Sequence, residues 1–155
     1  DVVSPFLQAV KGSDAALVAK GLEYGISGAT VDEDSVSALM IASMNGNVDI
    51  CKALLDKNAD PKYMEPIGGK SALMYAAQGG HTPVVELLVG HGADASQADV
   101  EGATALMWAA VAGQAGAAQA LAAHGFKDKM NKEGQSALAI AEKMGHADVV
   151  VALKA

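Results

Sequence analysis

One pattern of apolar and polar positions recurs along the whole chain. A hydroxyl residue is followed by a short run of small and apolar residues, and the four regular copies begin at Ser37, Ser71, Thr104 and Ser136. A degenerate copy begins at Ser4, so that the steps between successive copies are 33, 34, 33 and 32 residues. Such self-similarity predicts a solenoid, because a single unit of this size cannot bury its apolar residues alone and must stack on its neighbours.

Within each copy, the pattern predicts two helices with a break between them. The hydroxyl side chain suits the start of a helix, where it can accept a hydrogen bond from a free backbone N–H. Nine residues later comes a glycine, which predicts the break and is Gly46, Gly80, Gly113 or Gly145. Apolar residues then return with helical spacing, as in residues 84–88, and indicate the second helix. The end of that helix is predicted at residues that tolerate a left-handed backbone, namely Gly25, Asn58, Gly92 and Gly125.

The repeat resembles the ankyrin repeat, and the third copy is the most similar. It reads Ser71-Ala72-Leu73-Met74-Tyr75-Ala76-Ala77, followed by Gly80-His81, Val84-Val85-Glu86-Leu87-Leu88 and Gly92-Ala93-Asp94. The resemblance covers nearly the whole chain and implies an all-α fold, an ankyrin-repeat solenoid of stacked helix-turn-helix units with β-turn fingers between them. It also implies one domain over residues 1–155, with repeats at about 1–31, 32–65, 66–98, 99–130 and 131–155.

One position departs from the family pattern. Where ankyrin repeats carry a histidine that hydrogen-bonds between neighbouring repeats, this chain has Leu7, Met40, Met74, Met107 and Ala139. We expect these side chains to pack in the core, since methionine is apolar and adaptable. Copper(I) held by the methionine sulfurs is the alternative, but neighbouring helices lie about 10 Å apart, which is too far for consecutive sulfurs to share one ion. No metal and no cofactor is therefore expected.

Composition and charge narrow the class of partner. Apolar residues make up 51% of the chain and aromatic residues 4%, so the core must consist mainly of Ala, Val, Leu and Met. The net charge is −7 and no arginine is present, which argues against a nucleic-acid partner because such proteins need a basic face. No charged residue lies between Glu101 and Lys127, but the turn-forming residues 113–116 interrupt this apolar stretch. We therefore expect no transmembrane span, while peripheral association with a membrane complex is left open.

Residues that could be catalytic or could bind a metal ion are predicted to be structural. His81 and His146 fall at the helix break and His91 and His124 near helix ends, too far from one another for joint zinc ligation. Cys51, the only cysteine, is expected in the core. No Ser–His–Asp order, phosphate-binding glycine loop or close carboxylate pair stands out, so no catalytic residue is assigned and no enzyme is expected.

The resemblance implies that a partner protein binds the finger tips and the ends of the first helices. The corresponding candidates are Glu33, Asp34, Met44, Asn45, Ile67, Lys70, Gln78, Val100, Glu101, Ala103, Val111, Ala112, Lys132 and Lys143. Met64 and Pro66 join them because the second finger is one residue longer and unusually apolar, although an insertion tolerated at the surface explains the same feature. Trp108 is expected to pack between the first and second helices, and a role as a contact anchor is the alternative.

Two further features suggest how a partner docks. The second helix of the fourth repeat offers small, uncharged residues that we expect to pack against another subunit, namely Ala117, Ala118, Gln119, Ala122 and Ala123. Charge is also graded along the chain, from Asp32-Glu33-Asp34 in the first finger to Lys127, Lys129 and Lys132 in the last. This gradient would orient a partner of reversed polarity, and ordinary solubilising charge is the alternative.

Together these features predict a non-enzymatic protein–protein interaction module. We expect a scaffold, an adaptor or an accessory subunit that binds another protein in a larger, multi-subunit complex. The alternative is a regulatory ankyrin domain excised from a larger enzyme or channel. The compartment stays unknown because the chain begins at Asp1 rather than Met. A soluble, cytoplasmic location is the default, and an organellar one would follow if a targeting peptide had been removed.

Overall fold

The computed structural model describes residues 2–125 and 127–155, and it confirms the predicted all-α fold. Ten helices are present in these residues. They are α1 (Val3–Lys11), α2 (Ala15–Glu23), α3 (Ala38–Asn45), α4 (Val48–Asp56), α5 (Ala72–Gln78), α6 (Thr82–Gly90), α7 (Ala105–Ala112), α8 (Ala115–Ala122), α9 (Ala137–Met144) and α10 (Ala147–Lys154). No β-strand forms in the described part of the chain, and none of its helices is long and apolar enough to cross a membrane.

The helices pack in two rows that run along the solenoid. In the first row α1, α3, α5, α7 and α9 lie side by side, and in the second row α2, α4, α6, α8 and α10 do the same. Each first-row helix also packs on the second-row helix that follows it. The buried side chains of both rows form one continuous core, made mainly of Ala, Leu, Val and Met.

Side-chain caps begin the first-row helices of the four regular repeats, as predicted. The side-chain oxygens of Ser37, Ser71, Thr104 and Ser136 accept hydrogen bonds from the backbone N–H groups of Met40, Met74, Met107 and Ala139. The first repeat differs, because α1 begins at Val3 and Ser4 therefore lies inside the helix rather than before it. The capping role predicted from the pattern is wrong at Ser4, and Val2, which precedes α1, has no side-chain acceptor to replace it.

At Gly46, both backbone conformation and space require glycine at the helix break. Gly46 has a φ of +71°, which L-residues rarely adopt, and a Cβ there would lie 2.4 Å from His81 Nδ1. The imidazole occupies this space because its Nε2 donates a hydrogen bond of 3.0 Å to the Met44 carbonyl in the preceding repeat. His146 bonds the Val111 carbonyl at 3.1 Å in the same way. These two histidines are therefore structural, as predicted, and they bridge neighbouring repeats.

The side chains at the family's histidine position are buried wherever a repeat covers them on both sides. Met40, Met74 and Met107 are each at most 1% exposed, which confirms the predicted core packing. Ala139 is exposed because α9 is the last helix of its row. Cys51 lies in the core as well, and burial raises the pKa of its thiol to about 11, so that the thiol stays protonated at neutral pH.

Candidate interaction groove

Four loops project from the solenoid between the helix pairs, and we number them as fingers. Finger 1 spans residues 31–37, finger 2 spans 64–71, finger 3 spans 98–104 and finger 4 spans 130–136. A backbone hydrogen bond closes each finger, such as the bond of 2.9 Å from the Asp99 N–H to the Ala103 carbonyl. Fingers 1 and 2 each contain an isolated antiparallel bridge as well. The predicted β-turn fingers are therefore present.

The residue that opens each turn holds the finger with its own side chain. Asp99 Oδ1 accepts hydrogen bonds of 2.9 Å from the N–H groups of both Glu101 and Ala103. Asp32 in finger 1 and Asn131 in finger 4 make the equivalent pair of bonds. These residues were missing from the predicted site, although an Asp or Asn recurs five residues before the capping hydroxyl and is the signal that could have identified them.

In finger 2 a longer side chain matches the longer loop. Glu65 takes the place of Asp, and its carboxylate accepts hydrogen bonds of 2.8–3.1 Å from the N–H groups of Ile67, Gly68 and Lys70. Glu65 is only 6% exposed, whereas Ile67 at the tip is 77% exposed. Burial by itself would raise the pKa of Glu65, but these hydrogen bonds and the positive charge of Lys70 outweigh it and hold the pKa below its usual value of 4.5. The extra residue is thus part of an ordered turn.

Glu65→Gln is expected to destabilise the protein at neutral pH and to weaken its sensitivity to acid. A carboxyl whose pKa is depressed by folding stabilises the protein above its unfolded pKa, and it loses that contribution as the pH falls through the folded value. At pH 7 the wild type should be more stable by about 1 kcal/mol, the difference between a charged and a neutral hydrogen-bond acceptor. Urea unfolding from pH 7 downward should show this margin shrinking below about pH 4.5. A margin that stays constant through the acid range would contradict the assignment.

Trp108 in α7 turns part of its indole toward the fingers. Its Nε1 donates a hydrogen bond of 2.9 Å to Asp99 Oδ2 in finger 3, and the Lys70 ammonium from finger 2 lies 3.7 Å from a ring centroid. The side chain also packs against the core. The predicted position between the first and second helices is therefore corrected, since these contacts place the polar edge and the ring face on the finger side of α7. A cation at this distance is attracted to an indole ring by about 0.5–2 kcal/mol, so Asp99 and Lys70 together fix its orientation.

Neighbouring fingers are joined at their tips. The Val100 N–H donates a hydrogen bond of 3.0 Å to the Gly68 carbonyl, and the Lys132 N–H donates one of the same length to the Glu101 carbonyl. Fingers 2, 3 and 4 therefore form one connected edge alongside the first-row helices. We call the surface between the fingers and the first-row helices the groove.

A pocket of about 250 Å³ lies in the groove between α7 with finger 3 and α9 with finger 4, and we name it the Trp108 pocket. The buried Met107 and Ile140 and the half-buried Trp108 form its inner side. Val111 and Met144 form an apolar rim at the ends of α7 and α9, where they are 38% and 51% exposed. The pocket therefore combines an apolar interior with an apolar rim that solvent still reaches.

A larger hollow of about 460 Å³ lies at the other end of the groove, between α1 and finger 1. Its lining is more polar and includes Lys11 and Asp32, which form an ion pair of 3.8 Å. Among the described residues, no group of three or more His, Cys, Asp or Glu side chains is arranged to hold a metal ion.

The structure places most of the predicted partner-binding residues along the groove. Those on the fingers or on first-row helices are Glu33, Asp34, Met44, Asn45, Met64, Pro66, Ile67, Lys70, Gln78, Val100, Glu101, Ala103, Trp108, Val111, Ala112, Lys132 and Lys143. Five of them come together in the Trp108 pocket, namely Glu101, Ala103, Trp108, Val111 and Lys143. Seven further residues complete this pocket and lie outside that set, namely Asp99, Met107, Asn131, Glu133, Gln135, Ile140 and Met144.

Helix α8 does not present the face that its sequence suggested. Ala117 and Ala118 are buried in the core and Ala122 is half-buried, so the smooth outer face expected from these alanines is wrong. Gln119 and Ala123 are the members of that set that are exposed. Because α8 belongs to the second row, Gln119 and Ala122 are not brought together with the candidates in the groove.

Two of the lysines near finger 4 bond backbone carbonyls of other segments. Lys127 donates hydrogen bonds to two backbone carbonyls at the end of α10, and Lys129 donates one to the Ser96 carbonyl. Of the three lysines that the sequence placed in the last finger, Lys132 is the one at the finger tip. The positive charge that remains at this end of the groove comes from Lys132 and, on α9, Lys143.

Comparison with known families finds repeats of one kind along nearly the whole chain. A family model described as ankyrin repeats (3 copies) matches residues 6–99 and, in a second match, residues 92–155. Together the two matches include every helix pair, from most of α1 to the end of α10.

Curated proteins with similar sequences are several times longer than this chain. Palmitoyltransferase AKR1 of Lachancea kluyveri is 30% identical over 104 residues, which cover 65% of this chain and 14% of that protein. Palmitoyltransferase ZDHHC13 of Homo sapiens is 34% identical over 84 residues, which cover 52% of this chain and 13% of that protein. Ankyrin repeat and SAM domain-containing protein 6 of Rattus norvegicus is 42% identical over 66 residues, which cover 43% of this chain and 8% of that protein. The chain thus spans less than a sixth of the length of each of these relatives.

Proposed function

Because the chain belongs to the ankyrin-repeat family, we propose that it is a non-enzymatic scaffold, adaptor or accessory subunit that binds a partner protein in the groove. Ankyrin repeats are protein–protein interaction modules rather than catalytic ones. Solenoids of this kind bind their partners on the extended concave surface that the stacking of repeats creates.

The observation that carries the proposal is the Trp108 pocket. Apolar side chains are exposed at its rim, where Val111 and Met144 would lose contact with water if a partner covered them. Trp108 lies beside them with its orientation fixed, and tryptophan is among the residues that dominate the binding energy of protein interfaces. An apolar rim around a fixed aromatic side chain is the arrangement that a protein contact uses.

A regulatory repeat region of a larger protein is the second candidate. It is favoured by the small share of each relative that the chain covers, and by the enzymatic names of two of those relatives, both palmitoyltransferases. In this case the groove would bind the target or another region of the parent protein, and the chemistry would lie elsewhere in that protein.

Affinity capture with a groove variant and a matched control tests the proposed function. The purified chain is immobilised, and captured proteins are quantified by mass spectrometry for the wild type and for Val111→Glu/Met144→Glu. A defined set of proteins should fall at least about tenfold on the variant, because contacts at the centre of an interface contribute about 2 kcal/mol or more.

Gln119→Glu serves as the matched control, since it adds a carboxylate at an exposed position of the second row. All three substituted side chains are exposed, so the melting temperatures of both variants should stay close to that of the wild type. The control should keep the set that the groove variant loses. Capture of the same proteins by the wild type and the groove variant would refute binding through the groove.

A further inference from the structure

The size of the Trp108 pocket indicates what it holds. Its volume of about 250 Å³ is below the range of roughly 300–1,000 Å³ that is typical of small-molecule sites. The pocket lies open along the groove between two fingers and two helices, so a segment of another protein can lie across it. These dimensions suit one large apolar side chain, which would meet Met107, Trp108 and Ile140 inside and the rim of Val111 and Met144 outside.

Hydrogen bonds hold the walls of the pocket in place before any partner binds. Asp99 fixes the indole of Trp108, and the Lys132 N–H bonds the Glu101 carbonyl, which links fingers 3 and 4. On the helix side, His146 bonds the Val111 carbonyl and ties the end of α7 to the next repeat. A preorganised pocket costs little to order on binding, so that more of the contact energy contributes to affinity.

The charged side chains that line the pocket are separated by side. Glu101 and Glu133 line the finger side and Lys143 lines the α9 side, and all three side chains are exposed. Within the described residues, none of the three has an ion-pair partner within 4.0 Å. The carboxylate of Asp99, by contrast, already accepts hydrogen bonds from Trp108 and from two backbone N–H groups of finger 3. The charged side chains that line the pocket therefore present negative charge toward the fingers and positive charge toward α9, whereas Lys132, at the tip of finger 4, does not line it.

We propose that the Trp108 pocket receives one large apolar side chain of the partner, from a segment with a basic residue on the finger side and an acidic residue on the α9 side. This specificity rests on the proposed function, because it requires that the groove binds a protein. The apolar side chain supplies most of the affinity, and the paired charges set the direction in which the segment crosses the pocket.

Selection from a displayed library of random peptides tests this specificity without knowledge of the natural partner. Peptides are selected against the wild type, Glu101→Lys/Glu133→Lys and Lys143→Glu. Wild-type binders should share a large apolar residue with Lys or Arg on one side and Asp or Glu on the other. Peptides selected against the double variant should carry Asp or Glu in place of Lys or Arg. Peptides selected against Lys143→Glu should carry Lys or Arg in place of Asp or Glu.

The selected wild-type peptide is then synthesised, and its dissociation constant is measured against each variant. Because an exposed ion pair contributes little by itself and the double variant reverses two charges, we expect the constant to rise about five- to tenfold for this variant. A peptide of reversed charge should recover the loss. Glu86→Lys and Lys52→Glu are matched controls, since they reverse exposed charges on the second-row helices α6 and α4 and should leave the constant unchanged.

Three results would each overturn the specificity. The first is a set of peptides without a charge preference, and the second is an affinity that the charge reversals leave unchanged. The third is failure to select any peptide, because a preformed pocket of this kind should bind a short segment. If captured proteins still depend on Val111 and Met144 in any of these cases, the proposed function stands and the specificity alone fails. If neither capture nor peptide binding depends on the groove, both proposals fail.

Discussion

Met74→Ala is expected to lower the free energy of unfolding by about 2–5 kcal/mol. Met74 is 1% exposed and lies in α5, the middle helix of the first row, with Met40 and Met107 at equivalent positions of the helices that pack on either side. Truncation leaves a cavity that α5 cannot close toward one neighbour without opening a gap toward the other. Because each repeat of a solenoid is stabilised by its nearest neighbours, a change in the central repeat weakens two interfaces at once.

Two variants separate this loss from other effects of the substitution. Met74→Leu nearly conserves the volume of the side chain and should cost less than about 1.5 kcal/mol. Met44→Ala removes the same atoms from a position that is 46% exposed, and the expected change is within about 0.5 kcal/mol. Urea unfolding followed by far-UV circular dichroism measures all three. A loss below about 1 kcal/mol for Met74→Ala would show that the methionines do not pack as a continuous part of the core.

The fold could be predicted because its determinants are local and periodic. Each regular repeat carries its own capping hydroxyl and its own break glycine at fixed positions, so four copies predict the same helix pair independently. The first repeat shows where such inference stops. Ser4 matches the pattern, yet α1 begins before it, because a single hydroxyl residue does not determine which turn starts a helix when the surrounding anchors are degenerate.

The groove was predictable in outline but not in its contacts. Its position follows from the repeat, whereas the orientation of Trp108 depends on Asp99 and Lys70, which approach from two fingers. The prediction for the outer face of α8 was wrong for another reason. Its residues are nearly all small and apolar, so there is no polar face in the sequence to show that Ala117 and Ala118 lie inside.

The contact between Asp99 and Trp108 links the stability of finger 3 to the shape of the pocket, and Asp99→Asn isolates it. Asn131 shows that an asparagine can hold such a turn through Oδ1 alone. At position 99 the amide would keep the bonds from Glu101 and Ala103 but place an NH₂ group against the indole N–H. Losing a hydrogen bond to a charged acceptor should lower the free energy of unfolding by about 1.5–3 kcal/mol.

A double-mutant cycle with Trp108→Phe measures this contact directly. Phenylalanine removes the indole donor, so Asp99→Asn should cost much less in its presence than in the wild type, with a coupling energy of about 1–2 kcal/mol. The same variants should weaken capture of the partner through the groove, because the aromatic wall is no longer held. Additive losses of stability in the cycle would contradict this account, since they would show that Asp99 stabilises finger 3 without orienting Trp108.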